Sequence, residues 1–188
     1  MIGTKKQKTE KSMHLMVTKK CNRKCPYCCN NSYKIKDIPI ASAEEFSRAE
    51  NIFLTGGEPF IYSESTFAPD FITKGLKANF SNLKKVYVYT NMAEFFDAAE
   101  KDVWKLENID GINFSIKNKK DYEIYVKNQA YLEKKLQEFN TTENRIYCFP
   151  GFEDIKYSEK LFTKFNRVWQ TDFQAVADSF FRRIGGIL

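Results

Sequence analysis

The sequence lacks the features of histidine-built metal sites, secreted disulfide frameworks and membrane spans. It has one histidine, His14, and five cysteines, an odd number that cannot pair fully. No apolar run reaches the length of about 18 residues that a membrane span needs. Residues 1–12 are polar and lysine-rich and contain no signal-peptide hydrophobic region. We therefore expect a cytoplasmic protein with reduced cysteines, no membrane segment and a flexible basic leader over residues 1–12.

The composition is typical of one folded domain. Hydrophobic residues make up 43% of the 188 residues and aromatic residues 15%, which is enough to build a sizeable core. The net charge of +6 fits a nucleic-acid partner, an acidic protein partner or only a solvated lysine-rich surface. No repeat or linker divides the chain, and we expect a single domain over residues 13–188.

Four of the five cysteines lie in one short loop, from Cys21 to Cys29. Three follow a C-x3-C-x2-C spacing: Cys21, Cys25 and Cys28. Thiolates at this spacing reach one metal centre, and they favour zinc, cuprous copper or an iron–sulfur cluster. Structural zinc normally takes two separated ligand pairs, and His14 and Cys148 do not form a second pair. A three-thiolate iron–sulfur site is the favoured interpretation.

A second motif, Thr55-Gly56-Gly57-Glu58-Pro59, follows a predicted strand. Its paired glycines permit positive φ angles and close approach of a ligand to the backbone. Together with C-x3-C-x-aromatic-C, in which Tyr27 is the aromatic residue, this turn resembles the two signatures of the radical S-adenosylmethionine superfamily. The resemblance implies that Cys21, Cys25 and Cys28 hold a 4Fe-4S cluster, whose fourth iron binds the amino and carboxylate groups of S-adenosylmethionine.

The resemblance also implies a set of cofactor contacts, with different support for each. The residues are Tyr27, Gly56, Gly57, Glu58, Asn91, Ser115, Lys117 and Ile146. The Glu58 carboxylate would accept from the methionyl ammonium, and Asn91 is either a helix N-cap or a polar ligand contact. Ser115 and Lys117 match polar residues at the end of the fourth strand, although Lys117 is equally explained as a solvated side chain. Ile146, or Phe149 in its place, would pack on adenine, in a segment that departs from the family pattern in its glycines. The tyrosines and phenylalanines, and Cys148, mostly fit a core.

The implied reaction begins with an electron from reduced flavodoxin or ferredoxin, acidic proteins that suit a basic surface. It cleaves S-adenosylmethionine to methionine and a 5′-deoxyadenosyl radical, which abstracts hydrogen from a substrate. The substrate is unidentified: a small metabolite, a nucleotide or a protein. Two alternatives remain open. One is a glycyl-radical-enzyme activase, which the run from Cys25 to Asn30 resembles. The other is a non-catalytic zinc or iron–sulfur module that binds a partner or RNA.

Short apolar runs alternate with helical patterns along the chain. Strands are predicted over 13–18, 51–55, 85–90, 111–117, 145–149 and, weakly, 168–170. Helices are predicted to begin at capping boxes at Ser42 and Asn91, the latter ending near 106, and to span 67–80, 121–139, 151–165 and 172 to Gly185. The alternation predicts an α/β fold with a parallel sheet and outer helices. The resemblance implies a partial, open TIM-like barrel of five or six units, (βα)5-6. Both motifs fall at the carboxyl ends of strands, where ligands collect in such sheets.

Overall fold

The computed structural model describes residues 11–25, 28–31, 33–62, 68–100, 106–138, 141–169 and 179–186. Within these ranges the strands are β1 (Ser12–Thr18), β2 (Asn51–Gly56), β3 (Lys85–Thr90), β4 (Gly111–Ile116), β5 (Asn144–Cys148), β6 (Phe162–Asn166) and β7 (Ser179–Arg183). The helices are α1 (Ala43–Arg48), α2 (Pro69–Asn79), α3 (Ala93–Glu100) and α4 (Lys119–Glu138). Of the helices in the described ranges, none is both long enough and apolar enough to cross a membrane.

All the strands form one parallel sheet in the order β6-β5-β4-β3-β2-β1-β7. From β1 to β6 each strand is added beside the previous one, so right-handed crossovers bring the connecting helices to one face. Strand β7 then pairs with the other edge of β1. The sheet is open, with β6 and β7 at its edges, and the predicted α/β architecture with a parallel sheet is confirmed.

One face of the sheet packs against the helices and forms the main hydrophobic core. Alternate residues of each strand point to this face. The buried strand residues here are Met13, Leu15, Ile52, Leu54, Val86, Val88, Ile112, Phe114 and Ile146. Ile72 of α2, Phe95 of α3 and Leu132 of α4 belong to the same cluster. Burial of this apolar surface is the main source of stability.

The opposite face carries a row of aromatic side chains, which we call the aromatic face. It consists of His14, Phe53, Tyr87, Tyr89, Tyr147 and Phe165. The Phe53 and Tyr87 rings stack with their centroids 4.8 Å apart, and His14 meets Phe53 edge-on at 4.9 Å. The Arg145 guanidinium of β5 lies 4.7 Å from the Tyr87 ring centre and 5.8 Å from that of Phe53 in β2. Arg145 therefore contacts a residue three strands away, where the strand axes of a flat sheet are about 14 Å apart.

Gly111 lies beneath this contact. A Cβ atom at Gly111 would sit 2.2 Å from the Glu143 carbonyl oxygen and 3.0 Å from Cδ1 of Tyr87. The Tyr87 ring passes over β4, and its hydroxyl donates to the Glu143 carboxylate. The absence of a side chain at Gly111 is what allows β3 and β5 to make contact across β4.

The predicted strands at β1 to β5 are confirmed within one or two residues, as are the helices α1, α2 and α4. At α1 the capping box forms as predicted: Glu45 N donates to Ser42 Oγ at 3.2 Å, and Ser42 N donates to Glu45 Oε2 at 3.0 Å. Helix α3 begins near the predicted position, and residues 101–105 of that prediction lie outside the described residues. Ser12, assigned to the leader, belongs to β1, and Lys11 pairs with Glu50 at 2.7 Å; residues 1–10 lie outside the described residues.

The helix predicted over 151–165 is wrong. Of the weak strand predicted over 168–170, Val168 and Trp169 are not in a strand, and residue 170 lies outside the described residues. Turns follow β5, and Phe162–Asn166 forms a strand that pairs with it. The i, i+3 spacing of Phe162 and Phe165 suits one face of a helix, but in the strand the two rings point to opposite faces. Phe162 packs against Phe114 in the core, and Phe165 stacks on Tyr147 at 5.5 Å. Contacts on both faces favour the strand.

The helix predicted from residue 172 to Gly185 is wrong at its end, because Ser179–Arg183 forms β7. Residues 170–178 lie outside the described residues. Pairing with β1 satisfies backbone groups of an edge that would otherwise be unpaired. Arg182 adds an ion pair with Glu45 at 2.6 Å, and Arg183 Nε donates to the Ile38 carbonyl at 3.0 Å. The sheet thus has seven strands in its described part, where five or six were predicted.

Candidate metal and cofactor site

The cysteine loop follows β1 directly, at the carboxyl edge of the sheet. Cys21 is exposed, Cys25 and Cys28 are half-buried, and none of the three is in a disulfide. Partial burial of its sulfur is the main cause that raises the pKa of Cys21, and the neighbouring Glu58, Cys25 and Cys28 add to it. Tyr27 lies outside the described residues.

The cysteine loop supplies suitable metal ligands, but in this structure the ligands are not gathered around one point. Three free thiols on one loop have the donor chemistry of a soft-metal or iron–sulfur site. Among the described residues, no three His, Cys, Asp or Glu side chains lie close enough to hold a metal ion. Metal binding therefore requires the three sulfur atoms to draw together.

The paired glycines join the second motif to the cysteine loop. Gly57 N donates to the Thr18 carbonyl and Glu58 N to the Lys20 carbonyl, each at 2.8 Å. A Cβ atom at Gly57 would lie 1.8 Å from the Lys20 oxygen, and one at Gly56, where φ is +118°, would lie 2.2 Å from the Thr18 oxygen. Close approach at these glycines was predicted for a ligand, and in this structure the backbone preceding Cys21 makes it.

Glu58 links this turn to the end of β3. Its side chain is buried, and the carboxylate accepts from Thr90 Oγ1 at 2.8 Å, Asn91 N at 2.8 Å and Phe60 N at 3.2 Å. Burial raises the pKa of Glu58 to about 7, and the three donors oppose that shift. The contact with a cofactor ammonium stays a prediction, because the donors that this carboxylate engages here all belong to the protein.

Asn91 connects three elements at this edge. Its Oδ1 accepts from Ala93 N at 3.1 Å at the start of α3, and its Nδ2 donates to Asn22 Oδ1 at 2.9 Å. Asn22 Nδ2 in turn donates to Glu94 Oε1 at 2.6 Å. The capping box predicted between Asn91 and Glu94 does not form, because the Asn91 N–H donates to Glu58 and the Glu94 carboxylate binds Asn22.

A charge pair fixes the other side of the cysteine loop. Arg23 Nη2 lies 2.8 Å from Asp121 Oδ1, with the side chains 12% and 3% exposed. The N–H is not aimed along this direction, so the contact is a charge pair rather than an aligned hydrogen bond. Asp121 Oδ2 also accepts from Lys117 N at 3.1 Å. Sequence reasoning missed Asn22, Arg23 and Asp121; the position of the first two inside the motif was the available signal.

The remaining predicted contacts divide between the two faces. Ser115 lies on the aromatic face beside Tyr147, and Lys117 follows β4 with its Nζ 5.9 Å from the Phe149 ring centre. Both lie near the carboxyl edge that carries the cysteine loop. Ile146 is fully buried in the core on the helix face, and its packing on adenine stays a prediction.

An open cavity of about 460 Å³ adjoins the cysteine loop. Its lining residues are Asn22, Arg23, Lys24, Cys25, Asn118 and Lys120. The cavity lies between the cysteine loop and the start of α4, and Arg23, Lys24 and Lys120 give its lining a positive charge.

Comparison with known proteins adds no family assignment. No protein-family model and no curated protein matches the chain. A functional assignment therefore rests on the two motifs and on the contacts between them.

Proposed function

We propose that this protein is a radical S-adenosylmethionine enzyme in which Cys21, Cys25 and Cys28 hold a 4Fe-4S cluster beside the cofactor. One observation carries the proposal: the Gly-Gly-Glu turn is hydrogen-bonded to the backbone that leads into the cysteine loop. Two motifs distant in sequence thus form one unit at the carboxyl edge of a parallel sheet, where such folds bind ligands.

When bound, the cluster and cofactor supply one-electron cleavage of the sulfonium and abstraction of a substrate hydrogen. The protein's own residues hold the loop in place. Asn91, at the end of β3, is held by the Glu58 carboxylate and donates to Asn22 of the loop, and the Arg23–Asp121 pair braces the loop from α4. Cysteine ligates a metal as the thiolate, so metal binding would release a proton from each protonated thiol, and the burial that raises the pKa of Cys21 opposes this release.

The sheet itself is proposed to be a partial, open barrel. The sequential order of β1 to β6 supports this, because singly wound parallel sheets curl toward the face without helices. The contact of Arg145 with Phe53, three strands away, also supports curvature toward the aromatic face. In such a barrel the aromatic face would be the inner, substrate-facing surface.

An acidic electron donor, a reduced flavodoxin or ferredoxin, fits the charge around the loop. Lys19, Lys24 and Lys120 are exposed at this edge. Opposite charges across an encounter surface raise the association rate. The free thiols suit a reducing, cytoplasmic setting.

The test uses anaerobically reconstituted full-length protein. Iron and sulfide are counted, and 5′-deoxyadenosine is assayed after addition of dithionite and S-adenosylmethionine. We expect about four irons per chain, with cofactor cleavage. Cys25→Ala should lose both, whereas Cys148→Ala, which removes a cysteine outside the loop, should keep both.

The alternative outcome identifies a different class of protein. Bound zinc without affinity for S-adenosylmethionine, or a cluster that never cleaves the cofactor, contradicts the enzyme and supports the non-catalytic metal module. A glycyl-radical-enzyme activase would give the same cleavage result. It would additionally install a radical in a partner enzyme, which electron paramagnetic resonance detects.

A further inference from the structure

Among the described residues, two arginines at the aromatic face have no carboxylate within ion-pair distance. The Arg145 guanidinium lies over Tyr87, and that of Arg167 lies 4.8 Å from the Tyr147 ring centre. Among the described residues, neither guanidinium forms an ion pair or a hydrogen bond. A guanidinium stacked on a ring leaves its N–H edges free for the bidentate geometry that carboxylate and phosphate oxygens accept.

Glu143 is a carboxylate close enough to Arg145 to interact with it electrostatically, but it is already engaged by other groups. Glu143 accepts the hydrogen bond of the Tyr87 hydroxyl and lies 3.4 Å from Lys85 Nζ. Arg182 and Glu45 form a separate pair on the far side of the sheet. Within the described structure, neither Arg145 nor Arg167 is therefore held in an ion pair.

The two guanidinium groups act on the same region of the face. Both influence the Tyr89 phenol electrostatically, and Tyr89 stacks on Tyr147 at 5.9 Å. Arg145 lies on β5, next in register to Asn113 of β4, and Arg167 follows β6. The two charges thus flank Tyr89 and Tyr147.

Asn113 is an independent sign of a polar ligand. It is fully buried, and Ile112 and Phe114 on either side belong to the helix-face core, so its amide points to the aromatic face. Neither amide atom has a hydrogen-bond partner within the described structure. Native proteins rarely leave both atoms of a buried amide unpaired, and such groups call for a water, an ion or a ligand.

We propose that the aromatic face binds an anionic small molecule, whose phosphate or carboxylate group is held by Arg145 and Arg167 and hydrogen-bonded by the Asn113 amide. We further propose that this molecule is the substrate of the enzyme, a statement that rests on the proposed function. The tyrosine and phenylalanine rings supply the walls of the site. Access to Asn113 requires the flexible Arg145 side chain to swing from the Tyr87 ring onto the ligand.

The test is a calorimetric titration of the full-length protein with inorganic pyrophosphate and, separately, citrate. Phosphate and carboxylate chemistry are thereby distinguished. We expect one probe to bind with a Kd below about 1 mM, and Arg145→Gln and Arg167→Gln each to weaken it by about tenfold or more. Arg167 is exposed, and in the described structure its guanidinium rests on the Tyr147 ring without a hydrogen bond, so Arg167→Gln should fold even if Arg145→Gln does not.

Two further variants control for charge and location. Arg48→Gln removes one arginine charge from α1 and should change the affinity less than about twofold. Lys120→Gln removes a charge at the cavity beside the cysteine loop and should also have little effect. A loss with Lys120→Gln but not with Arg167→Gln would move the anion to the cysteine loop and overturn the proposal.

Absence of binding of either probe at about 10 mM would overturn it as well. Cofactor cleavage by the reconstituted protein is measured separately. Cleavage without anion binding defeats this proposal alone. Anion binding without cleavage leaves the anion site standing and defeats the proposed enzyme.

Discussion

Arg23 in the cysteine loop and Asp121 in the first turn of α4 form a charge pair at 2.8 Å that is almost wholly removed from solvent. The pair joins residues that are far apart in sequence. Removing one partner leaves the other charge buried and uncompensated, which is the costly case for buried ion pairs.

Arg23→Gln should therefore lower the free energy of unfolding by about 3 kcal/mol, measured by urea denaturation of the metal-free protein. The double variant Arg23→Gln/Asp121→Asn should recover part of that loss, because no charge stays unpaired. Lys119→Gln, which breaks the exposed pair with Glu123, is the control and should change stability by less than about 0.5 kcal/mol. Purely additive losses in the double variant would argue against the pairing.

Glu58 should make stability fall as pH rises. Burial raises its pKa from 4.5 to about 7, so the folded protein holds this proton more tightly than the unfolded chain. The stabilising contribution is complete below pH 4.5 and lost as pH rises to about 7, amounting to about 3 kcal/mol. Denaturation at several pH values should show this slope, and Glu58→Gln should abolish it. Glu44→Gln, at an exposed position, is the control and should leave the slope unchanged. If the slope is also unchanged in Glu58→Gln, another group titrates.

His14 acts in the opposite direction. Burial lowers its pKa from 6.5 to about 4, so the folded protein favours the neutral ring. Its contribution is complete above pH 6.5 and lost as pH falls toward 4, again by about 3 kcal/mol. His14→Phe should remove this loss and leave the Glu58 slope visible alone. If the wild type and this variant respond identically to acid, His14 is not the buried neutral group described.

The glycine turn should tolerate no side chain. Gly57→Ala places a Cβ atom 1.8 Å from a backbone oxygen, so we expect loss of folding or a destabilisation of several kcal/mol, about 3 or more. Gly75, in the interior of α2 with no atom within 4 Å of such a Cβ, is the matched control. Gly75→Ala should instead stabilise the protein by about 0.5–1 kcal/mol. Equal effects at the two positions would contradict the contact between turn and loop.

Asn113 should be a position where stability and binding oppose one another. Asn113→Leu keeps the number and branching of the side-chain heavy atoms and removes two unpaired polar atoms, so the unfolding free energy should rise by about 1–3 kcal/mol. Anion affinity should fall in the same variant. A loss of stability, measured by thermal and urea unfolding, would show that the amide is paired in solution.

The parts of the fold that the sequence predicted are those with local signals. The capping box at Ser42 and the strands β1 to β5 are encoded by neighbouring residues, and they agree with the structure. Strands β6 and β7 depend on pairing with strands that are distant in sequence. Side-chain contacts with distant residues also hold them: Phe162 packs on Phe114, and Arg182 pairs with Glu45. Such pairing leaves no local pattern, and helical spacing misled the prediction.

In the candidate site, too, some features could be predicted from sequence rules and others depend on contacts between distant residues. The convergence of the cysteine loop with the Gly-Gly-Glu turn followed from the rule that parallel strands end at one edge. The roles of Asn22, Arg23 and Asp121 depend on contacts between elements and could not be predicted. Arg145 and Asn113 lay inside predicted strands. Their polar side chains alternate with core residues along these strands, which was a signal of a second, ligand-accessible face. The prediction missed it because it assigned most of the aromatic residues to the core.

The pairing of β7 with β1 also has a consequence during protein synthesis. The strand that leads into the cysteine loop is synthesised before β7, so one of its edges stays uncovered until β7 has been translated and has left the ribosome. Until then β1 has only β2 beside it, and Ile184 cannot donate to the Met16 carbonyl. Nascent chains stalled before residue 179 should therefore expose this edge to chaperones and proteases.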